Sequence, residues 1–148
     1  MNNEKNLIKS IENWFKEAKP KPTEKDQAVQ IGCHYEEVNE MVLALQNSHD
    51  SNLNDLLYAN SYHYKKYVNE LKLTKSQKIE LLDALCDQIV TAVGVAYMLG
   101  FDIVGALQEV NDSNWSKFEN GKAIFDENGK IKKGKNYFKP NLEKFIQD

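Results

Sequence analysis

Apolar positions recur along this chain at helical spacing until its last quarter, where the pattern changes. Leu7, Ile8, Ile11, Phe15 and Ala18 share one face of a first amphipathic helix, with Trp14 beside Phe15 on its packing surface, because residues three or four apart meet on a helix surface. The segment KPKP at 19–22 ends it, since proline lacks the backbone N–H that a continuing helix needs. Thr23 is placed as N-cap of a second helix reaching to about Asn47. Its apolar stripe is His34, Val38, Met41, Val42 and Leu45, and Cys33, Glu37, Glu40 and Ala44 line a neighbouring face. The loop HDSNLND precedes a third helix over residues 53–71, carried by Leu53, Leu56, Leu57, Tyr64, Val68 and Leu71. Thr74 with Gln77 is a capping-box signature for a fourth helix, which Gly100 closes, and Asp102 caps a fifth over IVGALQEVNDSNWSKF. Beyond it, KAIFDENGKIKKGKNYF has an Asn-Gly turn between short apolar stretches, predicting a small hairpin or ordered loop. The expected architecture is an all-α bundle of about five helices in a single domain, residues 1–119, with a C-terminal flap over 120–148.

Composition narrows the class without naming a function. A chain of 148 residues can bury a core of its own. Its 41% apolar and 28% charged content is that of an ordinary globule, with no internal repeat or low-complexity run. The apolar stretch 89–101 is too short to span a bilayer, and MNNEKNLIKS lacks the basic-then-apolar layout of a signal peptide. A cytoplasmic protein with no membrane partner is expected. Net charge of −3 argues against nucleic acid as a partner and requires that any anionic substrate be met by local cations. Cys33 and Cys86 form no CxxC pair and read as reduced thiols.

The chemistry concentrates in two acidic pairs. Within the apolar stretch IELLDALCDQIVTAVGVAYMLGFD, Glu80, Asp83 and Asp87 recur at i, i+3 and i+7, so the three carboxylates stack on one helix face. Burying them in such a setting is costly unless a cation offsets their repulsion. Glu37 and Glu40 are i, i+3 partners on the second helix. If the two helices pack antiparallel, four carboxylates converge with no histidine or thiolate among them, and oxygen-only ligation suits Mg²⁺ or Mn²⁺. An ExxE alone is usually a solvated face; the second stripe is harder to dismiss because its surroundings are apolar. Further on, Asn111, Asn114 and Lys117 recur every three residues beside Trp115 and Phe118. Amides, a cation and aromatic rings are the groups a nucleotide requires, although a capped helix end with core aromatics has the same composition. Lys122, Lys130, Lys132, Lys133 and Lys135 make a basic tail able to screen a polyphosphate. Tyr58, Tyr62, Tyr64 and Tyr67 form a cluster that suits a base pocket or an oligomer interface equally.

Three blocks, GCHYEEVNEM, DALCDQIVTAVGVAYMLGFD and EVNDSNWSKFENGKAIFDENGKIKKGKNYFKP, together resemble the MazG-like, phosphoribosyl-ATP pyrophosphohydrolase-like group of all-α nucleoside triphosphate pyrophosphohydrolases. The resemblance covers residues from about 30 to 142. The family's ExxE falls on Glu37 and Glu40, with Glu36 just before. Its ExxD matches less cleanly: the register that keeps the distance to Gly100 selects Asp83 and Asp87, while a literal ExxD sits one turn earlier at Glu80 and Asp83. The resemblance implies hydrolysis between the α and β phosphates of a nucleoside triphosphate, with Mg²⁺ on Glu37, Glu40, Asp83 and Asp87. It further implies that Glu36 or Glu37 accepts the proton of water, and that Asn111, Asn114, Lys117, Lys133 and Tyr137 contact substrate. A homodimer or homotetramer that completes the bundle between subunits is implied as well. Two alternatives stay open: a non-catalytic helical interaction protein, and a related hydrolase acting on phosphoribosyl-ATP or an alarmone.

Overall fold

The computed structural model describes residues 6–45, 51–127 and 129–146. Five helices run in order: α1 (Leu7–Ala18), α2 (Glu24–Leu45), α3 (Ser51–Lys66), α4 (Lys75–Met98) and α5 (Ile103–Trp115). A 3-10 turn at Glu143–Phe145 follows. Among the described residues there is no strand, only two isolated bridges, Glu119 with Lys122 and Phe125 with Ile131. The fold is all-α, with the C-terminal segment as ordered loop rather than sheet.

The helix ends follow from caps that the sequence encodes. Asn6 accepts from the Lys9 N–H at 3.0 Å. Thr23 Oγ1 accepts from the Asp26 N–H while the Asp26 carboxylate accepts from the Thr23 N–H, so two otherwise orphaned donors are satisfied reciprocally. Thr74 and Gln77 form the same kind of box at the start of α4, and Asp102 accepts from the Gly105 N–H at 3.0 Å. Gly100, at φ 74, turns the chain between α4 and α5.

Two boundaries differ from expectation. The third helix ends at Lys66 rather than Leu71, and the Lys25 ammonium explains it: Nζ donates to the carbonyls of Lys65 and Val68 at 2.9 and 3.0 Å, filling acceptors at the helix end with a cation that favours the dipole. A second Asn-Gly turn stands at 120–121, where both residues have positive φ and Glu119 and Lys122 exchange two backbone hydrogen bonds of 2.9 Å. Asn128 of the expected turn, residues 46–47 at the expected end of the second helix and residues 48–50 of the loop lie outside the described residues.

The chain forms two compact units. Unit 1 comprises residues 1–20, 73–125 and 131–148. Its core is Trp14, Ala18 and Phe118, with Trp115, Ala123 and Ile131 packed against them. The Trp14 ring stacks on Phe118 at 5.6 Å between centroids, and its indole N–H donates to the Asn114 carbonyl at 2.9 Å. The buried line on α1 is therefore Leu7, Ile11, Trp14, Ala18 at spacings of four, three and four; Ile8 and Phe15, expected inside, are exposed. The C-terminal segment straps α5. Ser113 Oγ donates to the Phe138 carbonyl at 2.7 Å, Glu109 accepts from Asn141 N–H and Lys144 Nζ, and Asp102 N–H donates to the Phe145 carbonyl. By contrast, α4 adjoins only α5 within the unit, and nearly all its side chains are exposed, Val90 at 68% and Met98 at 82%.

Unit 2 comprises residues 21–72 and 126–130 and is built on the pairing of α2 with α3. Ala28 is fully buried. At Gly32 a Cβ would lie 2.7 Å from Lys65 Cγ and 2.8 Å from the Ser61 carbonyl, so the two backbones approach to a distance only glycine permits. Tyr35 stacks on Tyr64 at 5.8 Å beside this contact. No helix among the described residues is long and apolar enough to cross a membrane.

Trp14→Ala is expected to cost about 3–5 kcal/mol, because it opens a cavity against Phe118 and removes the indole hydrogen bond to the Asn114 carbonyl, whereas Phe15→Ala costs much less. Urea unfolding of the two variants side by side checks this, and equal losses would count against the assignment of the buried face.

Candidate functional site

The face of α2 between Glu36 and Glu40 carries three carboxylates, one of them paired with two lysines. Glu36 Oε2 accepts from Lys65 Nζ at 2.7 Å and from Lys130 Nζ at 3.2 Å. Partial burial pushes this carboxyl up, but the hydrogen bonds from Lys65 and then Lys130 outweigh it and hold it below the ordinary carboxylate value. Lys130 responds in kind: burial lowers its ammonium, and the bond to Glu36 more than reverses that. A carboxylate so held is a weak proton acceptor. Glu37 and Glu40 stand on the exposed side of the same helix.

Beside Glu36 is a recess of about 150 Å³ lined by Glu36, Asn39, Tyr58, Ser61, Tyr62 and Lys65, all of unit 2. Helical spacing explains its composition: residues 36 and 39 lie one turn apart on α2, and residues 58, 61, 62 and 65 mark one face of α3. Tyr58 and Tyr62 stack with ring planes 16° apart and are exposed. Asn39 Oδ1 is buried and accepts no hydrogen bond. Asn39, Ser61 and Lys65 are not among the residues the sequence pattern singles out. The available signal was Gly32, whose missing side chain brings Ser61 and Lys65 against α2.

In unit 1, Glu80, Asp83 and Asp87 are exposed on α4. Their expected burial in apolar surroundings is not what the fold provides, because the apolar side chains around them are exposed too. Within either unit, no three histidine, cysteine, aspartate or glutamate side chains among the described residues are grouped to hold a metal ion. The expected ligands fall as Glu37 and Glu40 in unit 2 and Asp83 and Asp87 in unit 1. These are hard oxygen donors whose chemistry suits Mg²⁺ or Mn²⁺.

The α5 residues are mostly engaged in structure. Asn111, expected to meet a nucleotide, is 3% exposed and donates from Nδ2 to Ser10 Oγ, which also accepts from the Trp115 indole. Asn114 Oδ1 accepts from Lys117 Nζ at 2.6 Å, and that ammonium stands 5.9 Å from the centre of the Trp14 ring. Lys133 lies over the Tyr137 ring at 4.8 Å. Burial raises the Cys33 thiol above its usual value, so it is no ready nucleophile, and Cys86 is exposed. His34, expected on the apolar side of its helix, is exposed.

Comparison of the chain with models of known families, with curated proteins and with solved structures finds no significant match. The functional reading rests on the residues themselves.

Because the Glu36 pKa is lowered on folding, the stability it contributes is present above the ordinary value of 4.5 and is lost as pH falls through the lower folded value. The urea midpoint of unit 2 is expected to fall on acidification below about pH 4.5 in the wild type, and to fall less in Glu36→Gln. Indistinguishable acid profiles would remove the double ion pair from the account.

Proposed function

We propose that the chain is a Mg²⁺-dependent nucleoside triphosphate pyrophosphohydrolase that releases a nucleoside monophosphate and pyrophosphate. The observation that supports it most is the α2 face. Two exposed carboxylates, Glu37 and Glu40, adjoin a third, Glu36, around which Lys65 and Lys130 gather positive charge in an otherwise acidic chain. Hard metal ligands and phosphate-neutralising cations are thus adjacent.

Glu37 and Glu40, with Asp83 and Asp87 from α4, are the residues that would hold the ion; Glu80 is the neighbouring alternative on α4. Bound there, Mg²⁺ supplies charge neutralisation of the triphosphate and acidifies a water molecule. Proton acceptance falls to Glu36 or Glu37, adjacent carboxylates on α2, with Glu36 Oε2 held by both lysines. The water oxygen bonds to the α-phosphorus, the bond from that phosphorus to the α–β bridging oxygen breaks, and pyrophosphate leaves with the electron pair. Glu36 positions Lys65 and Lys130 near the departing phosphates. Lys117 and Lys133 are further cations for the chain of phosphates, and Asn114 and Tyr137 are contacts for sugar or base. Asn111 supports α5 through Ser10 rather than touching substrate.

The same reading includes a homo-oligomer. Large apolar side chains are normally buried, yet Ile79, Leu82, Ile89, Val90, Val93 and Tyr97 of α4 are exposed. A second copy of the chain is the partner proposed for them.

Pyrophosphate release from a panel of canonical and modified nucleoside triphosphates, with and without Mg²⁺, tests the activity. Release is expected only with the metal and with deoxynucleotides preferred, and Glu37→Gln or Asp87→Asn is expected to lower it by about 10²-fold or more. Pyrophosphate release unaffected by either substitution would remove the carboxylates from the reaction. No release from any triphosphate would leave a helical interaction protein, and selective cleavage of phosphoribosyl-ATP or an alarmone would change only the substrate. Light scattering after gel filtration is expected to give at least a dimer for the wild type and a monomer for Val90→Glu; a monomeric wild type overturns the oligomer.

A further inference from the structure

The segment 138–146 runs along α5 with its chain direction reversed, and its anchors fall on one stripe of that helix. Ser116 Oγ accepts from the Phe138 N–H at 3.1 Å, and Ser113 Oγ donates to the Phe138 carbonyl at 2.7 Å. One turn back, Glu109 Oε1 accepts from the Asn141 N–H at 3.1 Å and Oε2 from Lys144 Nζ at 3.0 Å. At the start of the helix, the Asp102 N–H donates to the Phe145 carbonyl at 2.9 Å. The Phe145 ring sits against Gly105, where a Cβ would stand 2.6 Å from Phe145 Cε1. Positions 102, 105, 109, 113 and 116 are three or four apart and therefore share a face. Most of these bonds engage the backbone of the segment, not its side chains.

Little apolar burial backs these bonds. None of residues 138–146 is buried, and Phe138, Leu142 and Ile146 are exposed, whereas Ser113 on α5 is only 3% exposed. A segment held by accessible hydrogen bonds over few buried apolar groups opens at a smaller free-energy cost than the core it lies on. Its anchors are coupled. Lys144 pairs with Glu109 and also stands 5.0 Å from the centre of the Phe145 ring, which joins the middle anchor to the last. Pro140 fixes its own φ between the first anchor and the middle one. The Phe145 and Ile146 N–H groups donate to the Leu142 and Glu143 carbonyls and stiffen the end. The preceding loop is pinned separately: the Gly134 N–H donates to the Lys117 carbonyl at 3.1 Å and the Lys135 N–H to Glu119 Oε1 at 2.7 Å. Asn136 and Tyr137 stand between the two sets of anchors.

We infer that residues 138–146 are a latch that opens and closes over α5 as one unit, hinged at Asn136 and Tyr137, while α5 and the Trp14 core stay folded. Glu109 is its clasp, and Gly105 is the seat of its far end. Opening uncovers Ser113 and a helix face whose polar groups are placed to bind a peptide backbone, so the latch governs access to that face. The inference stands apart from the pyrophosphohydrolase reading, because none of the anchors on α5 is a residue assigned to metal or substrate.

Amide hydrogen exchange of the full chain, followed residue by residue by NMR, tests the latch in the wild type without any variant. The Phe138 and Asn141 amides are expected to share one protection factor, smaller by about tenfold or more than that of the α1 amides around Trp14. Glu109→Gln keeps an acceptor for the Asn141 N–H but loses the charge opposite Lys144, and is expected to speed both amides about threefold or more. Gly105→Ala favours α5 by helix propensity yet sets a methyl group against the Phe145 ring. It is expected to speed the Phe138 amide, at the opposite end of the latch, by a similar factor and to leave the α1 amides unchanged. Protection at Phe138 and Asn141 equal to that of α1, no protection at all, or unequal factors for the two amides would overturn the latch. So would a Glu109→Gln chain that exchanges like the wild type, or a Gly105→Ala effect confined to the residues beside Phe145.

Discussion

The contact on which the candidate site depends is the close approach of two helix backbones at Gly32. Any side chain there would collide with the Ser61 carbonyl and with Lys65, so glycine sets how near α3 comes to α2. That distance delivers Lys65 to Glu36 and places Ser61 inside a recess instead of on open surface. Lys25 holds the same pairing from the other end by donating to the Lys65 carbonyl in the last turn of α3 and to the Val68 carbonyl just beyond it. One missing Cβ and one partly buried ammonium thus arrange the pairing of α2 with α3.

Unit 1 is organised by a different constraint, the burial of a single large ring. Trp14 stacks on Phe118 and binds the Asn114 carbonyl, which ties α1 to the end of α5. Ser10 adds a second tie, accepting from Asn111 and Trp115 together. These bonds explain why amides at three-residue spacing on α5, a pattern that suits nucleotide binding, go partly to holding helices. Polar residues at regular spacing serve a ligand or a neighbouring helix equally well, and only the partner atom tells which.

The two acidic pairs illustrate how far apolar context can be trusted. Carboxylates set in an apolar run imply burial when the run itself is buried, but α4 keeps both its acids and its Val, Ile and Leu side chains exposed. The unusual feature of α4 is its uncovered apolar surface, and the same surface that undercuts the argument from burial supports the proposed association between copies.

Helix starts and their caps were determined by the sequence alone, because they depend on contacts within a few residues: Asn6, Thr23 with Asp26, Thr74 with Gln77, and Asp102 each act on an N–H three positions away. The face each helix buries was only partly legible: Trp14 and Phe15 both fit the packing surface of α1, and the choice of Trp14 falls to Phe118, 104 positions away. The recess was not legible at all. It is assembled from Glu36 and Asn39 on one helix and Ser61 and Lys65 on another, and the absence of a partner for Asn39 Oδ1 is a property of the packed interior that no local pattern encodes.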